Sequence, residues 1–169
     1  MPLINARLRK RLANTLGPDI TNSAFAISSS GNGGSPGNAF DNSTASSWGS
    51  TETGSNTGGN SYIGQDFGSG NAKTIRGFKF DQANGASSNG TVTGFSSISL
   101  EYSDNGSSWT NGYTLGSTEM GDYTTPGPVV TIPDVGAHRY WRFKAFSNVN
   151  GSPGAVSWGV REIEMYEME

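Results

Sequence analysis

Ala39-Phe40-Asp41-Asn42-Ser43-Thr44-Ala45-Ser46-Ser47-Trp48 is the stretch on which the reading of this chain turns. It places a carboxylate, an amide and four hydroxyls between two large aromatics. Short polar side chains of this kind hydrogen-bond to nearby backbone and favour turns. Near the far end, Glu162-Ile163-Glu164-Met165-Tyr166 alternates polar and apolar residues and reads as a closing strand. If that strand returns to the turn, Glu162 joins Asp41 and the hydroxyls of the turn. Oxygen ligands drawn from distant points suit a hard cation such as calcium. The competing reading is an Asx-turn closed by hydrogen bonds alone, with Glu162 an ordinary strand residue.

Working outward, the 169 residues suit one domain of about 150 residues plus a short appendage. Only 33% of residues are hydrophobic and 25 are glycine, which points away from a helical protein and toward short strands joined by many turns. Phe, Tyr and Trp recur along the chain and argue against disorder. A net charge of −3 gives no reason to expect nucleic-acid binding. The absence of cysteine excludes disulfides and thiolate metal sites.

The only helical periodicity lies at residues 4–16, where Ile4, Leu8, Leu12 and Leu16 recur every four residues and Gly17-Pro18 would end the helix. Arg7, Arg9, Lys10 and Arg11 cover much of the rest. A helix this short needs a surface to lie on. Residues 1–20 are therefore expected to be a helical anchor, with the stripe in 1–17 packing on its own domain or docking on a partner protein. The basic start lacks an apolar stretch resembling a secretory signal, and no segment is long enough to span a bilayer. The expected place of synthesis is the cytoplasm.

From residue 21 the pattern is one of short β runs. Candidates lie at 24–27, 62–67, 75–80, 97–102, 109–115, 129–132, 140–146 and 158–166. These eight strands predict an all-β, antiparallel, two-sheet jelly-roll sandwich over residues 21–169. Compact turns are expected at 68–71, 104–106 and 134–136, and Asn105-Gly106 is a strong hairpin signal. Long connections lie at 49–60, 81–96, 116–128 and 147–157. Strands that alternate in direction would collect the long loops at one end, where binding residues usually sit.

The order of motifs over about residues 21–166 resembles discoidin modules (factor 5/8 type C, family 32 carbohydrate-binding). The Asp41 turn is similar to that family's "AFDG…T.W" turn, and 162–166 to its final "E.E.Y" strand. Tyr62-Ile63-Gly64-Gln65-Asp66-Phe67-Gly68 looks like its "WIQVDLG", residues 101–110 like "EYSDDGKTWT", and Arg139-Tyr140-Trp141-Arg142-Phe143 like "ARYVRI". The resemblance implies a galactose-binding-like fold and a structural calcium held by Asp41, Ser46, Glu162 and carbonyls in 38–46. Asn42 stands where the family has glycine, a change asparagine tolerates because it accepts positive φ.

A binding module of this kind implies a glycan ligand, held by an aromatic face and by amide hydrogen bonds. The long loops offer Asn56, Asn84, Tyr123, Phe146, Asn148 and Asn150 for that purpose. Combined with cytoplasmic synthesis and an N-terminal anchor, this suggests a virion component displayed in many copies. It would be a phage decoration, head-fibre or tail adhesin protein that holds another virion protein through residues 1–17. The alternatives are a purely structural assembly protein and a stand-alone cytoplasmic lectin. Enzyme chemistry is not expected. Gly33-Gly34-Ser35-Pro36-Gly37 fits a nucleophile elbow only formally. His138, the single histidine, is expected at a tight turn without a carboxylate partner.

Overall fold

The computed structural model describes residues 15–29, 34–49, 61–83, 95–121, 125–148 and 159–169, with backbone only for 95–97, 117 and 145–148. Among these there are ten strands and three single 3-10 turns. The strands are β1 (Leu16–Asp19), β2 (Ala26–Ser28), β3 (Trp48–Gly49), β4 (Tyr62–Asp66), β5 (Gly77–Gln82), β6 (Phe95–Ser103), β7 (Thr110–Leu115), β8 (Val130–Thr131), β9 (Tyr140–Asn148) and β10 (Gly159–Met168). One sheet runs β1-β10-β5-β8, with β3 also on β10, and the other runs β2-β4-β9-β6-β7. All strand pairs are antiparallel.

The all-β antiparallel sandwich is as expected, but the strand count is ten rather than eight. The two additions are β1 and β3. The helix over 4–16 is not supported. Residues 1–14, with Ile4, Leu8 and Leu12, lie outside the described residues, while Leu16 is a strand residue opposite Met168. Its side chain packs against Gly77, where an added Cβ would sit 2.6 Å from a Leu16 methyl. Leu16 is therefore part of the sandwich, which begins before residue 21.

Period-2 alternation builds the core. Trp141 and Phe143 of β9 and Ile98 and Leu100 of β6 are fully buried, as are Phe78 and Phe80 of β5 and Ile163 and Met165 of β10. Phe143 meets Phe78 edge-on at 5.3 Å and Phe80 at 5.0 Å, joining the two sheets. Such ring pairs add to what burial of their area supplies.

The two ends of the sandwich differ. At one end the compact turns meet: Lys73 bridges His138, and His138 contacts Asp104. Gly106 has a φ of 72°, the left-handed conformation that an Asn-Gly turn uses. At the other end Gly159 pairs with Gly49 and bonds Ala83, Val160 pairs with Gln82, and Phe95 pairs with Asn148. The described ends of the long connections therefore gather together, opposite the compact turns. Thr15, the first described residue, and Glu169 lie together at the compact-turn end, since β10 runs toward it and the Glu169 N–H donates to Thr15 O at 3.0 Å.

Candidate functional site

The turn at 39–48 is pinned from both sides. A 3-10 turn over Pro36–Ala39 leads into it, Ala39, Phe40 and Trp48 are buried in the core, and Asn38 Nδ2 donates to Ser47 O at 3.1 Å across its base. With its ends held by apolar burial, the polar residues between must loop outward. Asn42 takes a φ of 58°, the left-handed conformation in which asparagine replaces glycine at little cost.

Within the loop, Asp41 Oδ1 accepts the Ser43 N–H at 3.0 Å and Oδ2 accepts the Ser46 hydroxyl at 2.6 Å. The Ser43 N–H also donates to Glu162 Oε2 at 2.9 Å. Asp41, Ser46 and Glu162 are thus brought together, with the Ser43 amide between the two carboxylates. The two sequence readings are not exclusive: the Asx-turn is present, and Glu162 comes back to it. The register of β10 shifts between Val160 and Glu162, a bulge that lets Val160, Ile163 and Met165 face the core while Glu162 turns toward the loop.

Glu162 is 4% exposed, and its Oε1 is buried without a hydrogen-bond partner. Burial raises its carboxyl to about 7, against the Ser43 hydrogen bond, and the negative charges of Asp41, Asp19 and Glu164 add to the rise. A buried carboxylate oxygen without a donor, facing a second carboxylate, is the environment a cation relieves. The donors are all oxygen, which fits calcium. No three His, Cys, Asp or Glu side chains among the described residues gather to hold a metal by themselves. A cation here would need Ser46 and backbone carbonyls to complete its shell.

The long-loop candidates are placed only in part. Asn56, Asn84, Tyr123 and Asn150 lie outside the described residues, and for Phe146 and Asn148 only the backbone is described, at the end of β9 that opens onto the long loops.

Two motifs set aside from the sequence can be judged. His138 does have a carboxylate partner, since Nδ1 lies 3.1 Å from Asp104, contrary to expectation. Its Nε2 faces the Val135 carbonyl at 3.1 Å, so the nitrogen that would activate a nucleophile is already occupied. The Ser35 motif is followed by the single 3-10 turn rather than by the helix that an elbow requires.

Sequence reading missed three features. The Ser43 amide acts through its backbone, which no side-chain pattern reveals. Arg142 pairs with Glu101 at 2.6 Å and stacks 3.8 Å over Trp109, on the face of the sheet turned away from the core. Asp81 is buried at the rim of β5. It falls at the polar phase of the Phe78-Lys79-Phe80 alternation, so the pattern carried no signal of its burial.

The F5/8 type C domain family matches residues 23–158. Among solved structures, the chain is similar to the CBM32 of AlyQ in complex with 4,5-unsaturated mannuronic acid, with a TM-score of 0.62 and 21% identity over 91% of this chain and 99% of that one. It is also similar to CpGH89CBM32-5 from Clostridium perfringens in complex with GalNAc-β-1,3-galactose, with a TM-score of 0.58 and 13% identity over 84% of this chain and 94% of that one. A third likeness is to the family 32 carbohydrate-binding module from Streptococcus pneumoniae EndoD, with a TM-score of 0.53 and 15% identity over 88% of this chain and 99% of that one. No curated protein matches the chain. At these identities the structural likeness is one of fold. The family match spans most of the sequence, and the chain belongs to the F5/8 type C domain family.

Proposed function

We propose that this chain is a non-catalytic glycan-binding module whose ligand site lies at the long-loop end. The observation that carries this reading is the gathering of the described ends of the long connections, opposite the compact turns, on a rigid sandwich. Solved modules of the same fold hold saccharides, 4,5-unsaturated mannuronic acid in one and GalNAc-β-1,3-galactose in another. In this reading the amides of Asn56, Asn84, Asn148 and Asn150 hydrogen-bond the sugar, and Tyr123 and Phe146 supply ring faces. Calcium, bound by Asp41, Ser46, Glu162 and carbonyls in 38–46, is structural and stiffens the turn.

The setting we assign is a phage or virus-like particle, as a decoration, head-fibre or tail adhesin protein present in many copies. Two observations support it. The stripe of Ile4, Leu8 and Leu12, with its basic neighbours, gives residues 1–14 the character of an attachment segment. The described chain begins at Thr15 and Leu16, which lie at the compact-turn end, opposite the described ends of the long loops.

A glycan array with the whole chain tests the ligand. Tyr123→Ala and Asn150→Ala should weaken the signal without changing the melting temperature, whereas Val135→Ala, at the opposite end, should leave it intact. A blank array would exclude the glycan reading and leave a purely structural role in an assembly.

A further inference from the structure

Asp81 has no solvent exposure, yet it sits next to the last residue of β5, at the rim where the long loops begin. A carboxylate is expensive to bury unless its oxygens are paired. Here Oδ1 accepts the Gly127 N–H at 2.5 Å, and Oδ2 lies 3.5 Å from Lys79 Nζ. The neighbouring backbone takes hold of the same loop a few residues earlier. The Gly121 N–H donates to Phe80 O at 2.8 Å, and the Gln82 N–H donates to Gly121 O at 3.3 Å.

Gly121 and Gly127 are therefore drawn to one point on β5 and press on each other. A Cβ on Gly121 would lie 2.1 Å from Gly127 N, and one on Gly127 would lie 2.5 Å from Phe80 O. No side chain fits at either position. The arm that crosses from the other sheet is held as well: Glu119 accepts the Gly116 N–H at 2.8 Å and the Tyr113 hydroxyl at 2.5 Å. The connection between β7 and β8 is thus anchored on both sides of residues 122–124.

We propose that Asp81 is a positioning residue for ligand binding, holding Gly121 and Gly127 at one point on β5 so that the backbone there is already fixed when a glycan binds at the long-loop end. This rests on the glycan-binding reading above. Asp81 itself touches no ligand. It removes ordering entropy that the loop would otherwise lose on binding, and pre-organisation of this kind appears as affinity.

The test uses the whole chain and the best glycan from the array, with the dissociation constant measured on folded protein well below its melting temperature. Asp81→Ala should weaken binding roughly tenfold or more. Asp81→Asn keeps an acceptor for the Gly127 N–H and should restore most of the affinity. Gly121→Ala, which forces the base apart without touching Asp81, should reproduce the loss. Limited proteolysis gives a ligand-free readout, with Asp81→Ala and Gly121→Ala cut within 121–127 faster than the parent chain. A purely structural carboxylate would change the melting temperature but leave the dissociation constant of the folded molecules unchanged. If both variants bind as tightly as the parent chain, the clamp has no positioning role and the glycan reading stands. If the parent chain binds no glycan, the glycan reading fails and takes this inference with it.

Discussion

At the scale of residues, the Ser43 N–H shared between Asp41 and Glu162 sets the energetics of the site. One amide proton cannot neutralise two carboxylates, and burial raises the Glu162 carboxyl to about 7. The sign follows from linkage. A carboxyl that ionises less readily in the folded state than in the unfolded state penalises folding once it is ionised. In the metal-free chain the penalty is absent below the usual carboxylate range, grows from there toward pH 7, and is complete above it. Its size is on the order of 3 kcal/mol at full development. With excess chelator, the melting temperature should therefore fall as pH rises from 5 to 7.5. Calcium should reverse the trend by binding the ionised form, adding about 2.7 kcal/mol at a hundredfold excess over its dissociation constant. Glu162→Gln should flatten the chelator curve and remove the calcium response. A melting curve indifferent to chelator, calcium and pH would exclude the site.

At the scale of elements, β1 is the strand that the sequence disguises. Leu16 continues the four-residue spacing of Ile4, Leu8 and Leu12, and Gly17-Pro18 resembles a helix stop. Proline is tolerated in an edge strand, however, and β1 lies at the edge of its sheet. Asp19 completes it, accepting N–H bonds from Thr21 and Met165 at 3.0 Å each. Truncation should separate the segments. Removing residues 1–14 should leave the melting temperature nearly unchanged. Removing 1–19 deletes Leu16 and leaves the Met165 N–H without its acceptor, at a cost of about 2–4 kcal/mol. Equal stability of the two truncations would show that β1 contributes nothing. The other eight strands were legible from runs of alternating apolar residues, as Ile98 and Leu100 or Trp141 and Phe143 make plain. A two-residue strand such as β3 has no period to read. The meeting of Asp41, Ser46 and Glu162 was legible from turn chemistry and motif order. The Glu101–Arg142 pair and the Asp81 clamp were not, because each joins residues far apart in the chain through tertiary packing.

At the scale of the whole molecule, Thr15 and Glu169 lie at the end opposite the described ends of the long loops. Thr15 and Glu169 are joined by a backbone hydrogen bond beside the compact turns, while Gly49, Ala83 and Gly159 meet at the other end. A tether at the terminal end should leave the loops facing away from whatever holds the chain. The absence of cysteine permits a direct test, because a single introduced thiol gives one attachment point. Ser69→Cys places it in the exposed turn at the terminal end, and Pro126→Cys places it on the exposed part of the loop beside the Asp81 clamp. Captured on a surface through residue 69, the chain should bind glycan with the affinity it has in solution. Captured through residue 126, it should bind little or none. Denser capture through residue 69 should raise the apparent affinity for a multivalent glycan by about 10²–10⁴, because each further contact forms at high effective concentration. The reverse pattern, with binding lost on capture at 69 and kept at 126, would place the ligand among the compact turns and overturn the assignment of the two ends.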